Sequence, residues 1–138
     1  AQAVSLALAQ QGKPYVFASR GPDSFDCSGL VHWTYKQLGI KVTAYTGTEV
    51  HEGVGIADYR EEGGQPVPFD RMVQLAAPGD LLLFKGANGS LASGFPGHVG
   101  MYIGNGRMVH APRTGDVVKV VELKGRSDLM YIRRMATG

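Results

Sequence analysis

The sequence predicts an α+β fold, with helices in the first half of the chain and an antiparallel sheet in the second. Two segments before residue 40 carry apolar residues at helical spacing, whereas the chain after Pro66 alternates short apolar strands with glycine-containing turns. Helices followed by strands favour a segregated α+β layout over an alternating α/β sheet. The 138 residues fit one domain, 1–138, long enough to bury a core.

Three helices are predicted before the sheet, over residues 1–11, 27–38 and 46–51. Asp26 is a residue type that caps helices, so that Cys27 falls in the first turn of the second helix, and Gly39 ends that helix. Thr46-Gly47-Thr48-Glu49 has the form of a capping box and predicts the start of the third helix.

Five strands are predicted in the second half from alternating apolar residues and the turns between them. They cover Leu81–Phe84, Val99–Ile103, Arg107–Ala111, Val117–Leu123 and Met130–Met135. No repeat or low-complexity tract interrupts this pattern.

Cys27 is the single cysteine of the chain and directly precedes an apolar helical pattern. A helix N-terminus presents unpaired N–H groups and partial positive charge, which favour the thiolate over the thiol. Because the thiolate is the reactive form, this position suits a nucleophile. A lone cysteine is by itself more often an inert buried residue, so other residues must decide the interpretation.

Two histidines occupy the two arms of a predicted β-hairpin. The segment 97–112 alternates around a Gly-Asn-Gly turn, with His98 on the first arm and His110 on the second. A cysteine nucleophile needs an imidazole as its base, and that imidazole needs a third group to orient it. Cys27, His98 and His110 match these three roles.

The hairpin register decides whether the two histidines can meet. A regular two-residue turn at Asn105-Gly106 would point His98 and His110 to opposite sides of the sheet. A three-residue loop over 104–106 would place them diagonally on one face, within reach of each other. We therefore predict either an odd-length loop or a turn accompanied by a bulge.

Three blocks of the sequence resemble the NlpC/P60 cell-wall peptidases, a branch of the papain-like cysteine peptidases. The blocks occur in the family's order and at its spacing, along nearly the whole chain. They are 12–15 with 25–31, 78–84, and 97–106 with 110–112. The resemblance implies a papain-like fold in which N-terminal helices pack on a central antiparallel sheet.

The resemblance also implies an activity and a set of site residues. Cys27 would be the nucleophile, His98 the general base and acid, and His110 the polar orienter. Three residues would hold the free amine of the substrate and line the subsite beside the thiol: Tyr15, Asp26 and Ser28. The implied reaction is hydrolysis of a peptide bond in peptidoglycan stem peptides, most often between γ-D-glutamate and a diamino acid, without metal or cofactor.

The catalytic pair carries an electrostatic expectation of its own. An imidazolium and a helix N-terminus should bring the pKa of Cys27 well below its free value of about 8.5, and the thiolate should raise the pKa of His98. A bell-shaped dependence of activity on pH would follow.

The sequence departs from the family pattern at four places. Phe17-Ala18-Ser19 replaces the usual Trp-Gly-Gly, and Val42-Thr43-Ala44 replaces Leu-Pro-Arg. The segment 50–78 is long and polar, and the loop 86–94 is extended. Because that loop is rich in glycine and small residues, we expect a mobile wall of the substrate groove.

Other interpretations remain open. A related thiol amidase or acyltransferase would use the same residues, and an inactive relative would only bind the wall, although binding alone does not need a Cys-His-His set. A zinc site from Cys27, His32, His98 and His110 has spacings unusual for zinc ligands. We expect surface or packing roles for His32 and His51.

The charge pattern narrows the expected partners. The net charge is only +2, yet the last third is locally basic, and this favours a solvated sheet edge over a surface for anionic wall polymers. The basic residues are Arg107, Arg113, Lys119, Lys124, Arg126, Arg133 and Arg134. Without a recognition motif or an aromatic platform, no nucleic-acid partner is expected.

The sequence also bears on location. It contains no apolar run of membrane-spanning length and no signal-peptide pattern, and one cysteine permits no internal disulfide. We expect a domain of a longer protein that acts on peptidoglycan or muropeptides outside the cytoplasm: extracellular, periplasmic or in the cell wall.

Overall fold

In the computed structural model, which describes residues 2–135, four α-helices precede or interrupt the strands of one sheet. The helices are α1 Gln2–Leu8, α2 Cys27–Gln37, α3 Thr46–Glu49 and α4 Phe69–Leu75, with a 3-10 helix over Tyr59–Glu62. The strands are β1 Val54–Asp58, β2 Leu81–Phe84, β3 His98–Gly104, β4 Arg107–His110, β5 Lys119–Glu122 and β6 Leu129–Arg134.

The six strands form one antiparallel sheet in the order β1-β6-β2-β3-β4-β5. Helix α2 packs on β3, and α1 packs on both α2 and β3. The predicted α+β class, with N-terminal helices on a central antiparallel sheet, is confirmed. This packing brings the N-terminus of α2 to the strand that begins with His98.

The core lies between α2 and the middle of the sheet. All four residues of β2 are buried, and the Tyr35 side chain of α2 reaches across to donate a hydrogen bond to the carbonyl of Gly79, just before β2. Each large apolar side chain buried in this way contributes about 1.5–3 kcal/mol. The layer between helix and sheet therefore fixes the position of α2 relative to β3.

Three predicted helix ends differ from the structure, since α1 ends at Leu8, α2 at Gln37 and α3 at Glu49 in place of residues 11, 38 and 51. Helix α1 ends at Leu8, three residues early, because Gln10 and Gln11 donate to carbonyls three residues back and tighten the last turn. Residue 1 of the predicted helix lies outside the described residues. The predicted capping box is wrong, since Tyr45 is the N-cap of α3 and Thr46 already belongs to the helix.

The polar segment 50–78, where no strand was predicted, contains β1, the 3-10 helix and α4. Strand β1 lies at the sheet edge, and its first residue, Val54, is 64% exposed. It is held by pairing with β6 and by the Arg133 guanidinium, which donates to the carbonyls of Glu52 and Gly53. None of the helices within residues 2–135 is long and apolar enough to span a membrane.

Candidate active site

Cys27 is the first residue of α2, as predicted. Asp26 caps the helix by accepting a hydrogen bond from the Gly29 N–H at 2.6 Å. The other oxygen of Asp26 accepts from the N–H of Ala18 at 3.0 Å, and so the same carboxylate ties the preceding loop to the helix start. The cap fixes the backbone that carries the thiol.

The histidine hairpin closes with a two-residue turn. Gly104 pairs with Arg107, and the two residues between them, Asn105 and Gly106, have positive φ of 54° and 73°. This is the conformation of a type I′ turn, which Asn-Gly sequences favour. A regular ladder continued from this turn would have separated the histidines.

A bulge on β3 brings the histidines to one face. Ile103 is inserted as an extra residue between two ladder pairs and shifts the register by one. His98 Nε2 and His110 Nδ1 consequently lie 2.8 Å apart, and the rings meet edge to face. The prediction of a turn accompanied by a bulge is confirmed.

The thiol and both histidines line one cleft of about 510 Å³. Its walls come from the loop before α2, the loop before β3, and the loops that join β4 to β5 and β5 to β6. The lining residues are Tyr15, Cys27, Gly86, Ala87, Asn88, Gly97, His98, His110, Pro112, Arg113, Thr114 and Arg126. A peptide lying along this cleft would pass the thiol and the imidazoles together.

Burial dominates the electrostatics of the thiol. Burial, with a smaller contribution from the Asp26 carboxylate, raises the pKa of Cys27 to about 11 against the opposing backbone N–H groups of Val99 and Ser28. The expected fall of the Cys27 pKa is therefore wrong. Removal from water disfavours a thiolate more than the helix N-terminus favours it.

The histidines are held neutral by the same effect. Burial, followed by the charge of the neighbouring histidine, lowers the pKa of His98 to about 3. Burial, followed by the Arg126 guanidinium, lowers the pKa of His110 to about 4. At neutral pH the cleft thus holds a neutral thiol beside two neutral imidazoles, and the expected rise of the His98 pKa is wrong as well.

The hydrogen bond between the rings couples the tautomers of the two histidines. If His98 donates from Nε2 to Nδ1 of His110, its own Nδ1 keeps a lone pair that can take a proton from a thiol. His110 then carries its proton on Nε2, which is buried and has no hydrogen-bond partner among residues 2–135. His110 is therefore only half satisfied by its surroundings.

The structure separates the three predicted substrate-binding residues. Tyr15 lines the cleft, and burial raises the pKa of its hydroxyl. Asp26 and Ser28 instead lie at the helix cap outside the cleft lining, where Ser28 is buried and donates to Asp26 at 3.3 Å. Their binding role stays a prediction.

The loop before β3 forms part of the cleft wall. Asn88 and its two preceding residues line the cleft, as predicted for a groove wall. Farther along, the hydroxyl groups of Tyr59 and Tyr131 donate to the carbonyls of Leu91 and Gly94. These anchors, which the sequence analysis missed, tie the tip of the loop to the 3-10 helix and to β6.

The histidines outside the hairpin take no part in the cleft. His32 contacts the carbonyl of Val42 through Nδ1, and His51 is exposed at the end of α3. Across residues 2–135, no group of three His, Cys, Asp or Glu side chains is arranged to hold a metal ion. The sequence indicated Arg113 and Arg126 only as members of a basic region, although Arg113 follows His110 by three residues.

The model of the NlpC/P60 family matches residues 12–134, a range that contains the capped cysteine and the histidine hairpin. The chain belongs to the NlpC/P60 family. It is 37% identical over 131 residues to the probable endopeptidase Rv2190c of Mycobacterium tuberculosis, covering 95% of this chain and 28% of that protein. It therefore spans under a third of the length of that relative.

Two further NlpC/P60 similarities extend the comparison. The chain is 32% identical over 112 residues to the γ-D-glutamyl-L-lysine dipeptidyl-peptidase of Bacillus subtilis, covering 81% of this chain and 32% of that protein. The solved NlpC/p60 domain of the peptidoglycan hydrolase SagA superposes with a TM-score of 0.73 at 28% identity, covering 97% of both chains. The fold of this chain is thus that of a solved NlpC/P60 domain.

Proposed function

We propose that this chain is the catalytic domain of a cysteine peptidase that hydrolyses peptide bonds in the stem peptides of bacterial peptidoglycan. The observation that carries the proposal is the single cleft that holds a thiol at a helix N-terminus together with the hydrogen-bonded pair of His98 and His110. The names of the relatives, an endopeptidase and a peptidoglycan hydrolase, support the same substrate class.

In the proposed mechanism Cys27 is the nucleophile and His98 the general base. Because burial keeps both groups neutral, the Sγ proton moves to His98 as the sulfur attacks the carbonyl carbon of the substrate. His98 then gives this proton to the leaving amine as the C–N bond breaks, which leaves a thioester. Water attacks the thioester carbonyl while His98 takes its proton. The C–S bond then breaks, His98 returns the proton to Sγ, and the carboxyl product leaves.

His110 is proposed to hold His98 in the tautomer that this proton transfer needs. By accepting a hydrogen bond from Nε2 of His98, it leaves Nδ1 of His98 as the proton acceptor. It also stabilises the His98 imidazolium, which exists between the attack of the sulfur and the departure of the amine.

The proposed scissile bond joins γ-D-glutamate to the diamino acid, as the name of the Bacillus subtilis relative supports. Tyr15, Asp26 and Ser28 are proposed to bind the free amine of the stem and to line the neighbouring subsite. The proposed place of action is outside the cytoplasm, in the cell wall, the periplasm or the extracellular space, where this substrate lies.

The test uses the purified chain and the synthetic peptide L-Ala-γ-D-Glu-diaminopimelate. Mass spectrometry should find L-Ala-γ-D-Glu and free diaminopimelate with the wild type, and intact peptide with Cys27→Ala and Cys27→Ser. His51→Ala, which changes an exposed histidine outside the cleft, serves as the control and should retain full turnover. Transfer of the acyl group to an added amine without hydrolysis, or turnover by Cys27→Ala like that of the wild type, would contradict the proposal.

A further inference from the structure

The formal charges on the cleft wall are all positive. Of the residues that line it, Arg113 and Arg126 are the formally charged ones at neutral pH, and no carboxylate stands among them. Both guanidinium groups act on the histidines, since each contributes to lowering the pKa of His98 and of His110. A substrate in this cleft therefore meets positive charge beside the imidazole pair.

The two arginines differ in what already neutralises them. Arg126 makes two hydrogen bonds to the carboxylate of Asp128, at 2.8 and 3.3 Å, and lies over the ring of Phe84 at 4.1 Å. Its charge is thus neutralised by Asp128, and its guanidinium lies on the Phe84 ring. Arg126 is therefore built into the wall of the cleft.

The guanidinium of Arg113 is not neutralised in this way. It lies exposed in the loop between β4 and β5, and no ion pair or side-chain hydrogen bond within residues 2–135 uses its guanidinium. The neighbouring Asp116, which could have paired with it, binds Lys119 at 2.9 Å instead. The other arginines of the basic C-terminal region bind Glu122, Asp128, Asp80 or backbone carbonyls.

The position of Arg113 is fixed although its side chain is exposed. Its carbonyl accepts from the N–H of Asp116 at 3.1 Å, and the strand that precedes it carries the buried His110. The guanidinium is thus a cation without a partner, presented on the cleft wall three residues beyond the histidine pair.

We infer that Arg113 is a specificity-determining residue that binds a carboxylate of the stem peptide. The inference rests on the proposed function. A glutamyl residue linked through its γ-carboxyl keeps a free α-carboxylate, and a diamino acid with two carboxyl groups carries another remote from the scissile bond. The planar guanidinium can take either carboxylate in two parallel hydrogen bonds, which a neutral amide cannot reproduce.

The experiment compares kcat/KM for three forms of L-Ala-γ-D-Glu-diaminopimelate: unmodified, amidated at the glutamyl α-carboxyl, and amidated at the carboxyl of diaminopimelate remote from the scissile bond. The wild type should prefer the unmodified peptide over one amidated form by roughly three- to tenfold, and less at high salt. The form that is disfavoured identifies which carboxylate Arg113 binds.

Arg113→Ala should lose this preference by slowing on the two peptides that keep the bound carboxylate and not on the disfavoured amidated form. Arg113→Lys should retain part of the preference, because lysine keeps the charge but not the planar fork of the guanidinium. Lys124→Ala is the matched control, since Lys124 is exposed, basic and outside the cleft lining. It should behave as the wild type does.

The two proposals fail in different ways. A wild type that cleaves none of the three peptides overturns the proposed function and, with it, this inference. A wild type that cleaves all three equally, or an Arg113→Ala variant that keeps the preference, overturns the role of Arg113 alone.

Discussion

Two buried polar sites in this molecule are satisfied to very different degrees. Asp80, 2% exposed, accepts two hydrogen bonds from Arg134 and one from the N–H of Ala77, all at 2.8 Å. In the cleft, His110 pairs with His98 on one nitrogen and has no partner on the other among residues 2–135. Both sites are shielded from water, but only at Asp80 does each polar atom of the side chain have a hydrogen-bond partner.

The difference has a physical consequence. A buried group with every partner in place resists a change of protonation or orientation, because any change breaks a bond that water cannot replace. A half-satisfied group destabilises the fold, yet it can gain or lose a proton as a substrate requires. Asp80 therefore fits a role in stability, whereas the cleft residues fit a role in chemistry.

Of the variants considered, Cys27→Ala should show the largest difference between its effect on activity and its effect on stability. Removing the proposed nucleophile should lower kcat/KM on the stem peptide by roughly a thousandfold or more, because the proposed acyl-enzyme route is lost. The melting temperature, followed by circular dichroism, should stay within about 2 °C, because one sulfur atom at the cleft surface carries little of the core. Loss of folding together with activity would show that the thiol is structural.

The converse variant is Asp80→Asn. It leaves the guanidinium of Arg134 without its buried counter-charge and should lower the free energy of unfolding in urea by about 2–3 kcal/mol. This value is smaller than for a fully buried pair, because Arg134 is 43% exposed and water screens its charge. Asp58→Asn is the matched control at the more exposed Arg60–Asp58 pair and should cost less than about 1 kcal/mol. For both variants, kcat/KM of the folded protein at 20 °C should remain that of the wild type.

The histidine pair predicts a loss of stability on acidification. Because the pKa values of His98 and His110 lie at about 3 and about 4 in the fold, against about 6.5 in an unfolded chain, only the unfolded chain takes up these protons between pH 6.5 and 4. Their contribution to the free energy of unfolding should therefore fall by on the order of 2–4 kcal/mol as the pH drops through this window.

Urea unfolding of the wild type and of the double variant His98→Gln, His110→Gln measures that contribution, since other titrating groups cancel in the difference. The double variant should gain stability relative to the wild type as the pH falls from 7 to 4.5. A difference that is constant with pH would mean that the histidines are hydrated and titrate normally.

Glu49 should change the stability with the opposite dependence on pH. Its carboxyl is fully buried with both oxygens unpartnered within the described residues, and burial raises its pKa well above the usual value. The fold then keeps a proton that the unfolded chain releases above about pH 4.5, so stability falls as the pH rises. Glu49→Gln should be more stable than the wild type at pH 8 and equal to it near pH 4, as urea unfolding at the two pH values would reveal. An unchanged difference would show that Glu49 ionises normally in the fold.

Much of the candidate site could be predicted from local sequence. The Asp26 cap places Cys27 in the first turn of α2, and the Asn105-Gly106 turn defines the histidine hairpin; both depend on hydrogen bonds and backbone angles within a few residues. The bulge at Ile103 was predicted only as one way to bring His98 and His110 together. The strands of the second half followed from alternation in the same manner.

Only the tertiary structure decided the rest. Strand β1 forms at the sheet edge because β6 is there to pair with it, and nothing local to segment 50–78 requires it. The raised pKa of Cys27 and the placement of Arg113 in the cleft both depend on residues distant in sequence. Helix caps and turns depend on a few neighbouring residues. The sequence by itself therefore determined that the thiol lies in the first turn of α2 and where the hairpin turns. Burial and sheet edges exist only once distant segments pack, so the charge state of the site was decided by the fold.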